Sequence, residues 1–250
     1  DRAEDHVDLA PRHSGPRGLG DLWRRSHPGS IAAIHVQGAA SLSTVVPVRL
    51  EGSKALAWRL GRHALEPVAG TTVVDIADRV VAFRGWPFDR ADLMVGIRQG
   101  LPDPGGLDRA LESGEVLRSY AFRGGSYVFS PEVAAVLLAC RTTTRVWESS
   151  RYQKQGRFTL EDWAPWRAAV RELLVAGPAT RAEIGAHIAR IPALRHLVEG
   201  ATGVGSDSLY KPLFWWGDIC FGASRAGQAT FRVLDGDPRW PGLPDLDTAG

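Results

Sequence analysis

The chain reads as an α+β protein, mainly helical, with short β-hairpins. Apolar residues recur at helical spacing in one segment after another from Ser53 onward, and most of these segments open on Ser, Thr or Asp. Two other stretches carry aromatic and β-branched residues on both sides of glycines, which is the pattern of hairpins. At 250 residues the chain suits one large domain or two small ones, with a sizeable core.

Residues 1–30 are rich in Pro, Gly, Arg and Asp and read as an extended arm, while 30–50, "SIAAIHVQGAASLSTVVPVRL", are apolar enough for one or two short elements. Residues 1–52 are therefore set apart as an N-terminal extension. "SKALAWRLGRHAL" is expected to be a helix capped by Ser53, with Leu56, Leu60 and Ala64 on one face. Arg59, Arg62 and His63 project from its other faces, as a solvated basic set or as phosphate contacts. "GTTVVDIADRVVAF" gives a second helix, capped by Thr71 or Thr72. In "AFRGWPFDRADLMVGIRQ" Arg84 and Trp86 straddle Gly85, and Asp89 is expected to N-cap the helix from Arg90, with Asp92 at the capping-box position. "LDRALESGEVLRSYAFRGGSYVFS" begins as a helix and ends as a hairpin about Gly124 and Gly125. "PEVAAVLLACRTTTRVWESSRYQK" reads as one helix. These elements make up a first module, residues 53–155.

A second module, residues 156–250, opens near Phe158. Thr159 with Asp162 and Thr180 with Glu183 have capping-box spacing. A third helix, "DSLYKPLFWWG", precedes two strands in "DICFGASRAGQATFRVL". Helix, short helix, helix, hairpin is the order of a winged helix. Lys211 and Tyr210 stand on the third helix, Arg225 at the hairpin tip, and Gln228 and Arg232 nearby. Pro212 is expected to interrupt that helix. Leu213, Phe214, Trp215 and Trp216 are too apolar to face DNA and read as core.

A net charge of +2 excludes a polycation, so nucleic-acid affinity would need a local basic face. Lysine occurs only at 54, 154 and 211, and arginine supplies the remaining cations. That suits planar contacts to phosphate, and it is also what a GC-rich genome encodes. Cys140 and Cys220 lie far apart in apolar surroundings and read as buried free thiols of a reducing compartment. There is no metal-ligand spacing, and neither a metal nor a cofactor is expected. With no apolar run of membrane length and no signal-peptide pattern, a cytoplasmic protein without a membrane partner is expected. The chain begins with Asp1 rather than Met, which leaves room for an upstream N-terminus.

From Ser53 onward, "LAWRLGRHALEP", "RADLMVGIRQ", "VLRSYAFRGGSYVFSPE", "LYKPLFWWGDICFGASRAGQATF" and "PRWPGLPDLD" together resemble, in order, the AlkZ-like winged-helix DNA glycosylases. The resemblance implies tandem winged-helix modules in a C shape around a cleft, with double-stranded DNA as partner. It also implies a catalytic Gln-x-Gln or Gln-x-Asp motif where Arg84, Gly85 and Trp86 stand here. Arginine accepts no proton and tryptophan is only a donor, so neither replaces the motif's acceptors. The family's Arg-Gly-Thr-Leu-His segment keeps Arg123 and Gly124 but has Gly125 for its threonine and Tyr127 for its histidine. A rival placement at Gln37 of "HVQGAAS" would make Ala39 the second member.

Three readings follow. The first is a DNA-binding protein on this scaffold without the standard chemistry, with Arg84, Arg123, Arg225 and the basic helix on phosphates and Trp86 stacking on a base. The second is a divergent glycosylase with Asp89 as general base and Arg84 and Trp86 at the catalytic position. In the third, Trp86, Phe88, Tyr120, Phe122 and Tyr127, with Arg84 and Arg123, line a cleft for a small aromatic ligand.

Overall fold

The computed structural model describes residues 51–203 and 205–245. The N-terminal arm, the elements expected in 30–50 and Gln37 lie outside these residues. Helices α1 (Gly52–Arg62), α2 (Val73–Val80), α3 (Phe88–Arg98) and α4 (Gly106–Glu112) come first, with strand β1 (Phe83–Arg84) between α2 and α3. Strands β2 (Leu117–Tyr120) and β3 (Ser126–Phe129) follow, then α5 (Pro131–Thr142) and α6 (Ser150–Gly156). The remainder is α7 (Trp163–Val175), β4 (Ala179–Thr180), α8 (Arg181–Ile188), α9 (Val198–Thr202), α10 (Asp207–Trp215), β5 (Ile219–Phe221) and β6 (Thr230–Val233).

The two halves repeat one topology. β1, β2 and β3 form an antiparallel sheet in the order β1-β3-β2, and β4, β5 and β6 form another in the order β4-β6-β5. Each sheet takes its first strand from beside a helix and its other two from a hairpin. The two-residue strands β1 and β4 are too short to show a sequence pattern. At the tip of the β5–β6 hairpin Arg225 and Gln228 bond each other across Ala226 and Gly227, whose φ values of 50° and 75° suit a tight turn.

Local signals set several helix starts. Thr72 caps α2 in a full box with Asp75, and Thr180 caps α8 with Glu183. Thr159 and Asp162 bond reciprocally ahead of α7, across one short 3-10 turn. Four expectations differ. Helix α1 starts at Gly52, with Glu51 rather than Ser53 at the N-cap, and it buries none of its residues; Leu56 and Trp58 stand exposed. Helix α3 has Pro87 at the N-cap, so Asp89 lies inside the first turn and neither it nor Asp92 caps the helix. An acidic residue there still favours the positive end of the helix dipole.

The segment 131–154 breaks into α5, a 3-10 turn and α6. The hydroxyls of Thr142, Thr143 and Thr144 each donate to a carbonyl three residues back, and Arg145 takes a left-handed conformation at φ 43°. Such side-chain bonds compete with continued helix. Helix α10, by contrast, runs through Pro212, and Trp216 donates to the Pro212 carbonyl at 2.9 Å. Burial of Leu209, Tyr210, Leu213, Phe214 and Trp215 offsets the lost donor.

The main core runs from Leu117, Phe129 and Leu138 to Trp166, Tyr210 and Phe231, so it crosses the line drawn at 155/156. Trp166 donates its indole N–H to the Leu209 carbonyl at 3.1 Å. A smaller cluster gathers Ile76, Phe83, Val95, Leu107 and Val128. Cys220 is buried and free, whereas Cys140 is exposed, on the outward side of α5 beside buried Leu138 and Ala139.

Candidate functional site

Arg84 ends β1, and Gly85 donates its N–H to the Ser126 carbonyl at 2.9 Å, which ties the loop to β3. Trp86 then stands 64% exposed at the mouth of a cleft of about 700 Å³. On β2 the two-residue period places Arg118 and Tyr120 on the face that lines this cleft. Phe221 at the end of β5, Thr180 and Arg181 at the start of α8, and Asp207 at the start of α10 complete its far wall.

Arg118 is buried at 4% exposure, yet among the described residues it has no ion pair and no hydrogen bond, and its Nε is unsatisfied. Its guanidinium lies 4.5 Å from the Phe221 ring centre and 5.2 Å from that of Phe88. Burial lowers its pKa. Gly85 makes room for it: a Cβ there would meet Arg118 Cγ at 3.0 Å and Cδ at 3.1 Å.

A polar hub separates this cleft from a second cavity of about 530 Å³. Asp207 accepts from Tyr120 Oη at 3.1 Å, from Arg181, and from Lys211 at 3.1 Å. Arg181 also donates to Ser206 Oγ at 2.6 Å. Burial alone would raise the Asp207 carboxyl, but the Arg181 hydrogen bond and the Lys211 and Arg181 charges outweigh it and hold the pKa low. Burial, with Asp207 beside it, pushes Tyr120 up to about 12. The second cavity is lined by Arg123, Arg141, Lys211, Tyr152 and the serines at the start of α10. Arg141 stacks 4.4 Å from the Trp215 ring centre; its Nε and the Tyr152 hydroxyl have no partner.

Of the residues singled out from sequence, Arg84, Trp86 and Tyr120 line the first cavity and Arg123 and Lys211 the second. Tyr127 lies under Arg84, 5.3 Å from its guanidinium carbon to the ring centre. Phe122 stands edge-on to Tyr127. Arg59 and Arg62 on α1, and Asp89 on α3, line neither cavity. Arg225 is ion-paired to Glu183, and Arg232 to Asp237 at 2.7 Å. Tyr210 is fully buried, so α10 turns that side chain to the core rather than outward. Sequence reasoning missed Arg118, Arg141, Arg181 and Asp207. The period-two alternation of "LRSY" was a usable signal for Arg118, since it places Arg118 beside Tyr120.

A repeated helix-and-hairpin module with an arginine- and aromatic-lined cleft defines the class. The model of the family "DNA glycosylase AlkZ-like" matches residues 68–249, and the chain belongs to this family. An interstrand DNA cross-link repair glycosylase of Streptomyces sahachiroi is 26% identical over 197 residues, which is 77% of this chain and 52% of that protein. The solved structure of the Streptomyces sahachiroi DNA glycosylase AlkZ is similar at a TM-score of 0.72 and 24% identity, covering 81% of this chain and 55% of the other. The chain thus spans about half the length of the relatives it matches. Among the described residues no helix is long and apolar enough to cross a membrane.

Proposed function

We propose that this chain binds double-stranded DNA across the two cavities, on the scaffold of a DNA glycosylase, without the family's usual water activation. The observation that carries the reading is the state of the lining arginines. Five line the cavities, Arg84, Arg118, Arg123, Arg141 and Arg181, and among the described residues only Arg181 has a carboxylate partner. Arg118 is buried without an anion, which is costly, and Arg84 and Arg123 are exposed with no described carboxylate to compete for them, so a phosphate supplies a matching charge with bidentate geometry. Arg84, Arg123 and Arg141 take the backbone in this reading, and Trp86 offers an exposed face on which a base stacks. Arg225 and Arg232, each with its own carboxylate, are weaker candidates for phosphate.

In the alignment this reading adopts, the family's acceptor side chains would stand at positions 84 and 86, where this chain has donors only. Asp89 is exposed and outside both cavities, so it is badly placed as a base. Asp207 lines the cleft but is committed to three donors, and an anion held this strongly is a poor proton acceptor.

Two measurements test the reading. Duplex affinity should fall with salt at a log–log slope of about −3, as expected for three phosphates. Base release from alkylated duplex should not exceed the spontaneous rate; release well above it would overturn the chemical half of the proposal. A second reading rests on the first cleft alone, whose volume of about 700 Å³ also suits a small aromatic ligand. Salt-insensitive thermal stabilisation by such a ligand, without duplex binding, would favour it.

A further inference from the structure

Arg118 differs from the other cleft arginines. Arg84 and Arg123 are exposed, whereas Arg118 is sealed to 4% exposure beneath the loop that carries Arg84 and Trp86. Two aromatic rings cover its guanidinium, and the glycine at 85 is spent on seating its stem. No described carboxylate bonds it, and its Nε donor is unused. A buried cation kept apolar on its faces and unpaired at its edge is set up to receive an acceptor. The cleft lining carries three arginines and one aspartate, a net of two positive charges.

We propose that Arg118 is the receptor for an oxyanion, the phosphate group of a nucleotide, on the floor of the first cleft. The guanidinium presents N–H donors in a rigid fork that matches two phosphate oxygens, and Arg84 at the rim adds a second charge. Tyr120, Phe221 and Trp86 provide surfaces for the sugar or base attached to it. The same charge disfavours a cationic base in this cleft. The phosphate comes either from a DNA strand or from a free nucleotide. The inference deepens the DNA reading but does not need it, because a free nucleotide meets the same chemistry.

The test is thermal melting of the full chain with inorganic phosphate, with deoxyadenosine 5′-monophosphate, and with deoxyadenosine. Phosphate and the nucleotide should raise Tm saturably, by about 5–10 °C at a hundredfold excess over Kd, and the nucleoside should not. Arg118→Met should abolish the rise. Arg118→Lys keeps the charge without the fork and should weaken nucleotide binding at least tenfold, which decides the matter if the Met variant does not fold. No rise in the wild type, or an undiminished affinity in Arg118→Lys, overturns the proposal. Displacement of labelled duplex by the mononucleotide assigns the site to DNA phosphate, and binding without displacement assigns it to a free nucleotide. Absence of salt-dependent duplex binding, with the phosphate-dependent rise intact, would fail the DNA reading and leave this site standing.

Discussion

Trp86→Ala separates a docking surface from a packing element. Trp86 is 64% exposed, so about a third of its surface is covered. For a side chain of roughly 250 Å² that is ~90 Å², and removing it costs at most ~2 kcal/mol. Trp166 is fully buried, and the same truncation there should cost about 3–5 kcal/mol. Base stacking on an exposed indole contributes about 1–3 kcal/mol, so Trp86→Ala should weaken duplex binding about 5- to 150-fold. Denaturant unfolding followed by far-UV circular dichroism gives the stability, and anisotropy of a labelled duplex at fixed salt gives the affinity. A stability loss of 3 kcal/mol or more with unaltered affinity per folded molecule would refute the docking role.

Gly85→Ala should lower both stability and phosphate affinity, because its Cβ would meet the Arg118 stem at 3.0 Å and the Tyr127 backbone carbon at 3.4 Å; the overpacking costs about 1–3 kcal/mol, and normal phosphate binding would show that Arg118 is not seated there. Arg123→Ala and Arg141→Ala should each flatten the salt slope of duplex binding by about 0.9, whereas Arg232→Ala, which leaves Asp237 unpaired, should lower Tm more than affinity. Thr180→Ala removes a helix cap at the cleft wall and should cost about 1 kcal/mol in urea unfolding. The pH dependence of Tm follows from carboxyls held low. Asp75 and Glu183 are lowered first by the backbone N–H of their capping threonines. In Asp162, Asp207 and Asp237 burial raises the pKa but is outweighed by hydrogen bonds and cations. Their stabilisation is present above the unfolded values of about 3.9–4.3 and is lost as pH falls through the lower folded values, so Tm should be level near pH 6 and drop below about pH 4. A Tm unchanged down to pH 3 would contradict these networks.

The sequence by itself determined what short-range chemistry controls. Thr72 with Asp75 and Thr180 with Glu183 announce their helices because both partners lie within one turn. The hairpin about Gly124–Gly125 and the aromatic block of α10 were equally legible, from strand-forming residues and from apolarity. The family was legible from the order of several segments. Tertiary structure alone decided which arginines are neutralised. Arg181 meets Asp207 across 26 residues and Arg167 meets Asp218 across 51, while Arg118 meets no carboxylate among the described residues. Nothing local distinguishes these guanidiniums, because a pairing over such separations exists only after the strands and helices have docked. The same docking seals Arg118 under Gly85 and between Phe88 and Phe221, and so turns one arginine among many into the buried charge at the floor of the cleft.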